Sequence, residues 1–274
     1  MDNVNCTLSM SVMSGKGGVG KTNLALNLGY ALFRAGHPLM LMDCDLGLAN
    51  LDVLLGLSPE KNLQDLLMPG MAINDVVVSV EPGGFDFLPA TSGVPELVEM
   101  DEDIQALLFN KLKQLAGGYE YIILDLGAGI SKTVLSFAAM THLQVVVITP
   151  EPTSLTDSYA MMKVLQKQHG INDFYVVVNQ MSSPEEGKLT FDRLKAACKR
   201  FLSIDIRYLG GLHHDAAVVE AVRRQIPLLK LSPKAQSSQD ILALAKRIQN
   251  LRGENLVTIS QTPALRDFPI AGKY

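Results

Sequence analysis

The chain has 274 residues, 47% of them hydrophobic, which suits one large α/β domain or two small ones. Its 24 basic and 28 acidic side chains give a net charge of −4, which argues against a dedicated polyanion binder and against nucleic acid as a partner. Three scattered cysteines, no signal-peptide pattern and no apolar run near about 18 residues predict a cytoplasmic protein.

A glycine-rich octet is the first strong motif. It satisfies the phosphate-binding pattern of a glycine, four free positions, Gly-Lys and then Ser or Thr. The octet reads Gly15-Lys16-Gly17-Gly18-Val19-Gly20-Lys21-Thr22. An apolar strand over 8–13 precedes it, and a helix from Lys21 to about Ala35 follows. A chance glycine turn would lack these flanks, so the sequence predicts a nucleoside triphosphate site.

Each residue type in the octet has a chemical role. Successive backbone N–H groups can wrap phosphate oxygens where glycine removes the Cβ atom. Lys21 places a positive charge on the β- and γ-phosphates, and the Thr22 hydroxyl is suited to ligate Mg²⁺. The start of the helix adds free amides and the positive end of its dipole.

Two acids follow the next apolar strand, which covers 39–42. Asp43 and Asp45 stand at the carboxyl end of this strand, where parallel sheets place their ligands. A solvated strand end is the alternative interpretation. Because the strand comes directly after the phosphate-loop helix, we expect these acids to form the magnesium and water shell.

A third acid ends the strand over 121–124. Asp125 has the form of a Walker B carboxylate, and one such group in the outer shell is sufficient for nucleotide-bound Mg²⁺. The alternative is an aspartate that caps the next turn. Since Gly127-Ala128-Gly129 follows, we favour a second nucleotide-sensing switch, with Thr22, Asp43 and Asp125 as the metal set.

Polar residues also follow the last two predicted strands. Asn179 directly follows the strand over 174–178. Its two interpretations are a plain cap of the strand and a hydrogen-bonding contact to a nucleotide base. After the strand over 207–212 come His213, His214 and Asp215. A zinc site at the paired histidines is disfavoured because no third ligand stands nearby.

These motifs resemble the MinD/ParA family of ATPases over roughly 8–252. The octet has the extra lysine of that family's deviant phosphate loop, and this lysine is Lys16. Asn23 and the stretch 46–56 resemble FlhG-type regulators of flagellar number more than MinD. Leu126 departs from the threonine that FlhG usually has, and His213 stands where the family has proline.

The resemblance implies roles for individual residues. Lys16 would reach the partner's nucleotide across an ATP-dependent homodimer, and Asp45 would orient the attacking water. Asn179 would read the adenine edge, Asp215 matches the aspartate that closes over the base, and His213 is a candidate to stack on it. Asn23 completes the nucleotide-binding set that begins with the octet, and the implied cofactors are ATP and Mg²⁺.

The implied function is an ATP-switched dimer that regulates flagellar number or placement, with the flagellar GTPase FlhF or a flagellar regulator as protein partner. A MinD-type septum regulator is one alternative. A ParA-type DNA partition ATPase is another, because seven Lys/Arg stand against two acids in 220–252. An ATP-dependent amidotransferase or synthetase is the least supported. A peripheral position at the membrane stays open, although the tail lacks a basic amphipathic pattern.

For the fold we expect a single α/β domain over 1–252, with a mainly parallel sheet of about seven strands and helices on both faces. The tail over 253–274 is expected to be poorly ordered. Residues 75–80 are ambiguous between helix and strand. Ser154 or Thr156 is expected to cap a helix, and Phe201 to share one face of another helix with Phe191, Leu194 and Ala197.

Overall fold

The computed structural model describes residues 6–45, 49–90 and 102–267, and within these ranges eight strands form one sheet. The strands are β1 (Leu8–Ser14), β2 (Leu39–Cys44), β3 (Val78–Glu81), β4 (Phe85–Leu88), β5 (Tyr121–Ala128), β6 (Leu143–Ile148), β7 (Tyr175–Met181) and β8 (Arg207–His213). Their order across the sheet is β3-β4-β2-β5-β1-β6-β7-β8. Every neighbouring pair is parallel except β3 and β4. The predicted α/β fold with a mainly parallel sheet is confirmed.

The strand count differs by one from the expected seven. The additional strand is β3, which lies in the ambiguous segment and pairs antiparallel with β4 through a turn at Gly83 and Gly84. Its side chains are only half-buried or exposed because it is an edge strand. An edge strand has neither the continuous apolar run of a central strand nor a clean alternation, so its pattern was weak.

Helices cover both faces of this sheet. In the described residues they are α1 (Lys21–Arg34), α2 (Leu51–Leu55), α3 (Glu102–Ala116), α4 (Lys132–Met140), α5 (Pro152–His169), α6 (Pro184–Leu202), α7 (Ala216–Arg224), α8 (Leu228–Leu231), α9 (Gln236–Glu254) and α10 (Leu256–Ser260). Successive strand side chains alternate between two cores, as the two-residue period of a strand requires. Met40 and Met42 pack with α3 to α6, whereas Leu39 and Leu41 pack with α1 and α9.

The expected cap of one helix is wrong, and one apolar helix residue is more exposed than its neighbours on the same face. Helix α5 starts at Pro152 with Glu151 at its N-cap, so neither Ser154 nor Thr156 caps it. Proline is suited to the first helical position because its missing N–H has no partner there. The Ser154 hydroxyl instead accepts the Thr149 N–H at 3.0 Å. Phe201 on α6 is 65% exposed, and it lines a groove with Tyr159 rather than the core.

The tail is ordered further than expected. Helix α10 follows α9, and Ile259, Ala264 and Leu265 are buried. The Arg266 N–H donates to the Met140 carbonyl at 2.9 Å, which ties the segment to the end of α4. The expectation of poor order is therefore corrected for 254–267, while 268–274 lie outside the described residues.

The sheet topology decides where functional side chains can meet. Strand β1 lies between β5 and β6, and β2 lies on the other side of β5. The carboxyl ends of parallel strands share one edge of a sheet. The phosphate loop after β1 therefore lies beside the acids in the carboxyl-terminal halves of β2 and β5. Asn179 and His213, in the carboxyl-terminal halves of β7 and β8, lie along the same edge.

Candidate active site

The phosphate loop is held in a conformation that glycine makes possible. Gly18 and Gly20 have φ angles of 77° and 90°, in the left-handed region. At Gly20 a Cβ atom would also lie 2.4 Å from the Asn179 side-chain nitrogen. Asn179 donates to the Val19 carbonyl at 2.7 Å, so β7 fixes the end of the loop.

The start of the loop packs against another helix. A Cβ atom on Gly15 would lie 2.2 Å from the backbone carbonyl carbon of Asp157 and 2.5 Å from the Ser158 nitrogen. Both atoms belong to the backbone of α5, which cannot move as a flexible side chain can. Helix α5 therefore sets the position of the loop as directly as β1 does.

Helix α1 begins where phosphates would lie. Within the described residues, no side chain caps its N-terminus, and its first turn has no acidic residue. The first amides and the positive end of the dipole are thus available to an anion. Lys21, the first residue of α1, is buried, and its ammonium interacts electrostatically with Asp125.

Asp43 and Asp125 are direct neighbours in the register between β2 and β5. Asp125 is 1% exposed and hydrogen-bonds the Thr22 side chain, whereas its Oδ1 atom has no partner in the described structure. Burial raises the pKa of Asp125 to about 7 against the lowering effect of Lys21, and Asp43 raises it further. A buried carboxylate oxygen without a hydrogen-bond partner is suited to coordinate a cation.

Asp43 anchors the segment that follows β2. One of its oxygens accepts the Asp45 N–H at 3.0 Å, and the other accepts the N–H groups of Asn50 and Leu51 at 3.1 and 3.2 Å. Burial raises the pKa of Asp43 to about 6, although these three bonds oppose the rise. Asp43 thus fixes the turn into α2. Residues 46–48, at the start of the stretch 46–56, lie outside the described ranges.

The segment that follows β2 and the end of β5 meet at Asp45 and Gly127. A Cβ atom on Gly127 would lie 3.2 Å from an Asp45 carboxylate oxygen. The absence of a side chain at Gly127 therefore leaves room for the Asp45 carboxylate beside the end of β5. This contact places Asp45 within reach of the same sheet edge as Asp43 and Asp125.

These residues fit a magnesium site. The vacant Asp125 oxygen, its hydrogen-bonded partner Thr22 and the neighbouring Asp43 offer the oxygen donors that Mg²⁺ prefers. Both oxygens of Asp43 already accept backbone N–H groups, so Asp43 would lie in the outer coordination shell of the ion. Within the part of the chain that the structure describes, Asp125 has the one buried carboxylate oxygen without a partner.

Lys16 is directed to α5 of its own chain. Its ammonium forms an ion pair with Glu151 and donates to the Thr153 hydroxyl at 3.1 Å. The hydrogen bond from Lys16 lowers the pKa of Glu151. Glu151 was not among the predicted site residues because 135 positions separate it from Lys16 and no motif links the two.

A cleft of about 160 Å³ lies beside the loop, and it has the size of a base rather than of a whole nucleotide. Its walls include the apolar side chains of Leu24, Leu212, Val218 and Ile241. The predicted residues Gly20, Asn23, Asn179, His213 and Asp215 all line it. The structure therefore brings the base-contact candidates together beside the loop.

Two of these candidates also have structural partners. Asp215 caps α7 by accepting the Ala217 N–H at 2.9 Å, and its second oxygen accepts the Ser237 hydroxyl at 3.0 Å. His213 binds Asp240 of α9. Asp240 lies near the start of α9, which begins at Gln236.

Some basic side chains of the stretch over 220–252 have partners within the molecule. Arg224 pairs with Glu220, Lys230 with Glu81 and Arg252 with Glu120. Arg247 donates to the Leu209 carbonyl. Four of the seven basic side chains thus have internal partners, which weakens the case for a nucleic-acid surface.

None of the helices in the described ranges is long and apolar enough to cross a bilayer.

Comparison with known proteins agrees with this geometry. Residues 10–228 match the CobQ/CobB/MinD/ParA nucleotide binding domain. The chain is 36% identical to the antiactivator FleN of Pseudomonas aeruginosa, with 88% of this chain and 86% of FleN covered. It is 33% identical to the flagellum site-determining protein YlxH of Helicobacter pylori, over 89% of this chain and 82% of YlxH.

Among solved structures, the septum site-determining protein MinD of Pyrococcus horikoshii, complexed with Mg-ADP, superposes with a TM-score of 0.71. The sequence identity is 25%, and the match covers 90% of this chain and 98% of that one.

Proposed function

Because the chain belongs to the CobQ/CobB/MinD/ParA family of nucleotide-binding domains, we propose that it is a Mg²⁺-dependent ATPase that regulates flagellar number or placement as an ATP-switched homodimer. The observation that carries the ATPase proposal is the vacant Asp125 oxygen beside Thr22 and Lys21 at the end of the phosphate loop. A buried, unpaired carboxylate costs stability, and a cation bound with the nucleotide relieves that cost.

The residues of the chain divide the work of phosphoryl transfer. The loop amides and the first turn of α1 hold the phosphates, and Lys21 neutralises part of their charge. Mg²⁺ held near Thr22 and Asp125 would offset the charge that develops between the β- and γ-phosphates. Asp45, placed against Gly127, is our candidate to orient the attacking water, because positioning supplies much of the rate in this reaction.

Lys16 is the candidate cross-subunit residue. It is not needed to hold phosphate in its own chain, since Lys21 does so, and its ammonium points to Glu151 and Thr153 instead. A facing subunit with bound ATP would offer the γ-phosphate as a stronger partner, and ADP would not. Dimerisation would then follow the nucleotide state.

Similarity to the flagellum site-determining protein YlxH supports the flagellar role, and similarity to the antiactivator FleN supports a protein regulator as the partner. A MinD-type role in septum placement is the second candidate, favoured by the likeness to the Mg-ADP complex of MinD. A DNA partition role is weaker because four of the seven basic residues in 220–252 have internal partners.

The biochemical test uses light scattering in a hydrolysis-slowed background. Asp45→Ala should bind ATP, hydrolyse it far more slowly and form a dimer with ATP but not with ADP. Adding Lys16→Ala should leave ATP bound and the protein monomeric, whereas Lys188→Ala, on the remote helix α6, should change neither. A Lys16→Ala, Asp45→Ala double variant that still dimerises with ATP would exclude the cross-subunit role.

The cellular test is deletion of the gene followed by counts of flagella and of division sites. An altered number or position of flagella with normal septa supports the proposal. Normal flagella with misplaced septa would favour the MinD-type alternative instead.

A further inference from the structure

The nitrogen atoms of His213 have different surroundings. Asp240 Oδ2 accepts both the His213 backbone N–H at 2.9 Å and the ring Nδ1 at 2.7 Å. The other oxygen of Asp240 accepts from the Gln236 side chain at 3.0 Å. The ring Nε2 has no hydrogen-bond partner in the described structure, although His213 lines the base cleft. One nitrogen is thus fixed, and the other is available to a ligand.

Asp240 determines the chemical character of that available nitrogen. An ionised carboxylate accepts hydrogen bonds and donates none. Nδ1 must therefore carry the proton, and in the neutral ring Nε2 is then an acceptor. The His213 and Asp240 side chains are only 21% and 11% exposed, so water competes weakly for this arrangement.

An acceptor at this position can distinguish the two purines. The six-position of adenine carries an amino group, which donates, whereas that of guanine carries a carbonyl oxygen, which accepts. We propose that His213 Nε2 accepts a hydrogen bond from the adenine amino group, and that Asp240 is the positioning residue that fixes the ring tautomer. The pair would select adenine over guanine nucleotides, a specificity that rests on the proposed nucleotide binding.

Two other polar residues of the cleft, Asn179 and Asp215, discriminate less well. Asn179 uses one N–H on the Val19 carbonyl and its oxygen on the Gln180 N–H at 2.9 Å, and an amide can donate to one base or accept from another. Both oxygens of Asp215 are occupied by α7 and Ser237. Among these three wall residues, His213 is the one whose free ring nitrogen has its hydrogen-bonding direction set by a partner.

Two substitutions separate this role from simple stacking. Asp240→Asn keeps the size of the side chain, but an amide can donate to Nδ1 as well as accept from it, so the tautomer is no longer fixed. His213→Phe keeps a flat ring for stacking and removes both nitrogens. Asp192→Asn, on the exposed surface of α6, is a matched control for the loss of a carboxylate.

The experiment measures the affinities of ADP and GDP by calorimetry, because diphosphates avoid hydrolysis and dimerisation. The wild type should prefer ADP by about tenfold or more, since a guanine carbonyl would face an acceptor without a proton between them. Asp240→Asn and His213→Phe should each reduce that ratio about tenfold, with ADP affinity in His213→Phe within about threefold of the wild type. Asp192→Asn should keep the ratio.

A direct readout on the wild type does not depend on any substitution. Nitrogen-15 NMR of the His213 ring should show a proton on Nδ1 and a change at Nε2 when ADP binds. Unchanged ADP/GDP ratios in both variants, or a proton on Nε2, would overturn the inference while leaving ATP binding in place. If the wild type bound neither nucleotide, the proposed function and the inference would fail together.

Discussion

The ammonium of Lys16 is paired with the carboxylate of Glu151 in its own chain, at the first turn of α5. The two side chains are 37% and 57% exposed, so the pair lies at the surface, where a facing molecule could compete for the lysine. If Lys16 acts on a partner's nucleotide, this bond within one chain must break first. Glu151 would then set the threshold for dimerisation.

The first prediction is that Glu151→Gln strengthens the ATP-dependent dimer. An exposed ion pair contributes little, so the dimer affinity should rise by only about a few-fold. Affinity of the monomer for ATP should not change, because Glu151 does not line the base cleft or the acid cluster. Sedimentation in the Asp45→Ala background measures the dimer, with Glu185→Gln on α6 as control. A weaker dimer would show that Glu151 supports the interface.

The second prediction concerns Lys21, which is buried beside Asp125. Lys21→Ala should lower ATP affinity by about 100-fold or more, since charge-assisted bonds to phosphate are lost in a partly desolvated site. The exposed Lys188→Ala should bind ATP like the wild type. Unchanged affinity of Lys21→Ala in calorimetry would remove this lysine from the phosphate site.

The third prediction is that Asp125→Asn loses metal binding and makes the nucleotide-free protein more stable. Asp125 has a pKa of about 7 when folded against an ordinary 3.8, so the folded state binds more protons between these values. The free energy of unfolding therefore falls as pH rises through this window. An asparagine does not ionise, so the variant lacks this pH-dependent loss of stability. Without nucleotide, the variant should be more stable than the wild type at pH 8 by on the order of 2 kcal/mol.

Chemical unfolding in a chelator at two pH values checks this prediction. At pH 5 the gain should be less than half of that at pH 8, because the wild-type penalty has only begun to accumulate. Added Mg-ADP should stabilise the wild type and not Asp125→Asn. A gain that is the same at both pH values would contradict the charge explanation, and the exposed Asp205→Asn should show no gain.

The fourth prediction contrasts two glycines of the loop. Gly15→Ala places a methyl group against the backbone of α5 and should destabilise the nucleotide-free protein by about 1–3 kcal/mol. Gly17→Ala meets nothing within 4 Å and should leave that stability nearly unchanged. If the loop amides wrap phosphate, Gly17→Ala should still weaken ATP binding. Equal stability of the two variants would show that the loop yields without cost.

The sequence by itself determined the elements and the chemistry that is local to each of them. Buried central strands such as 121–124 have continuous apolar runs. The octet, Asp43, Asp45 and Asp125 stand in or just after the carboxyl-terminal halves of strands, so a parallel sheet must gather them near one edge. These patterns are short-range, and short-range patterns are visible in a single sequence. The half-buried edge strand β3 has no such pattern, and its segment was ambiguous between helix and strand for that reason.

Only the tertiary structure decided which side chains face one another across long separations. Glu151 meets Lys16 and Asp240 meets His213 because α5 and α9 pack beside the strand ends, and neither pair has a spacing that a motif could reveal. Asp125 is buried and its Oδ1 has no partner among the residues that the structure describes, whereas Phe201 is exposed on a helix with an apolar stripe. Both facts also depend on neighbouring elements. Packing between elements is a property of the whole fold, whereas periodicity is a property of each segment.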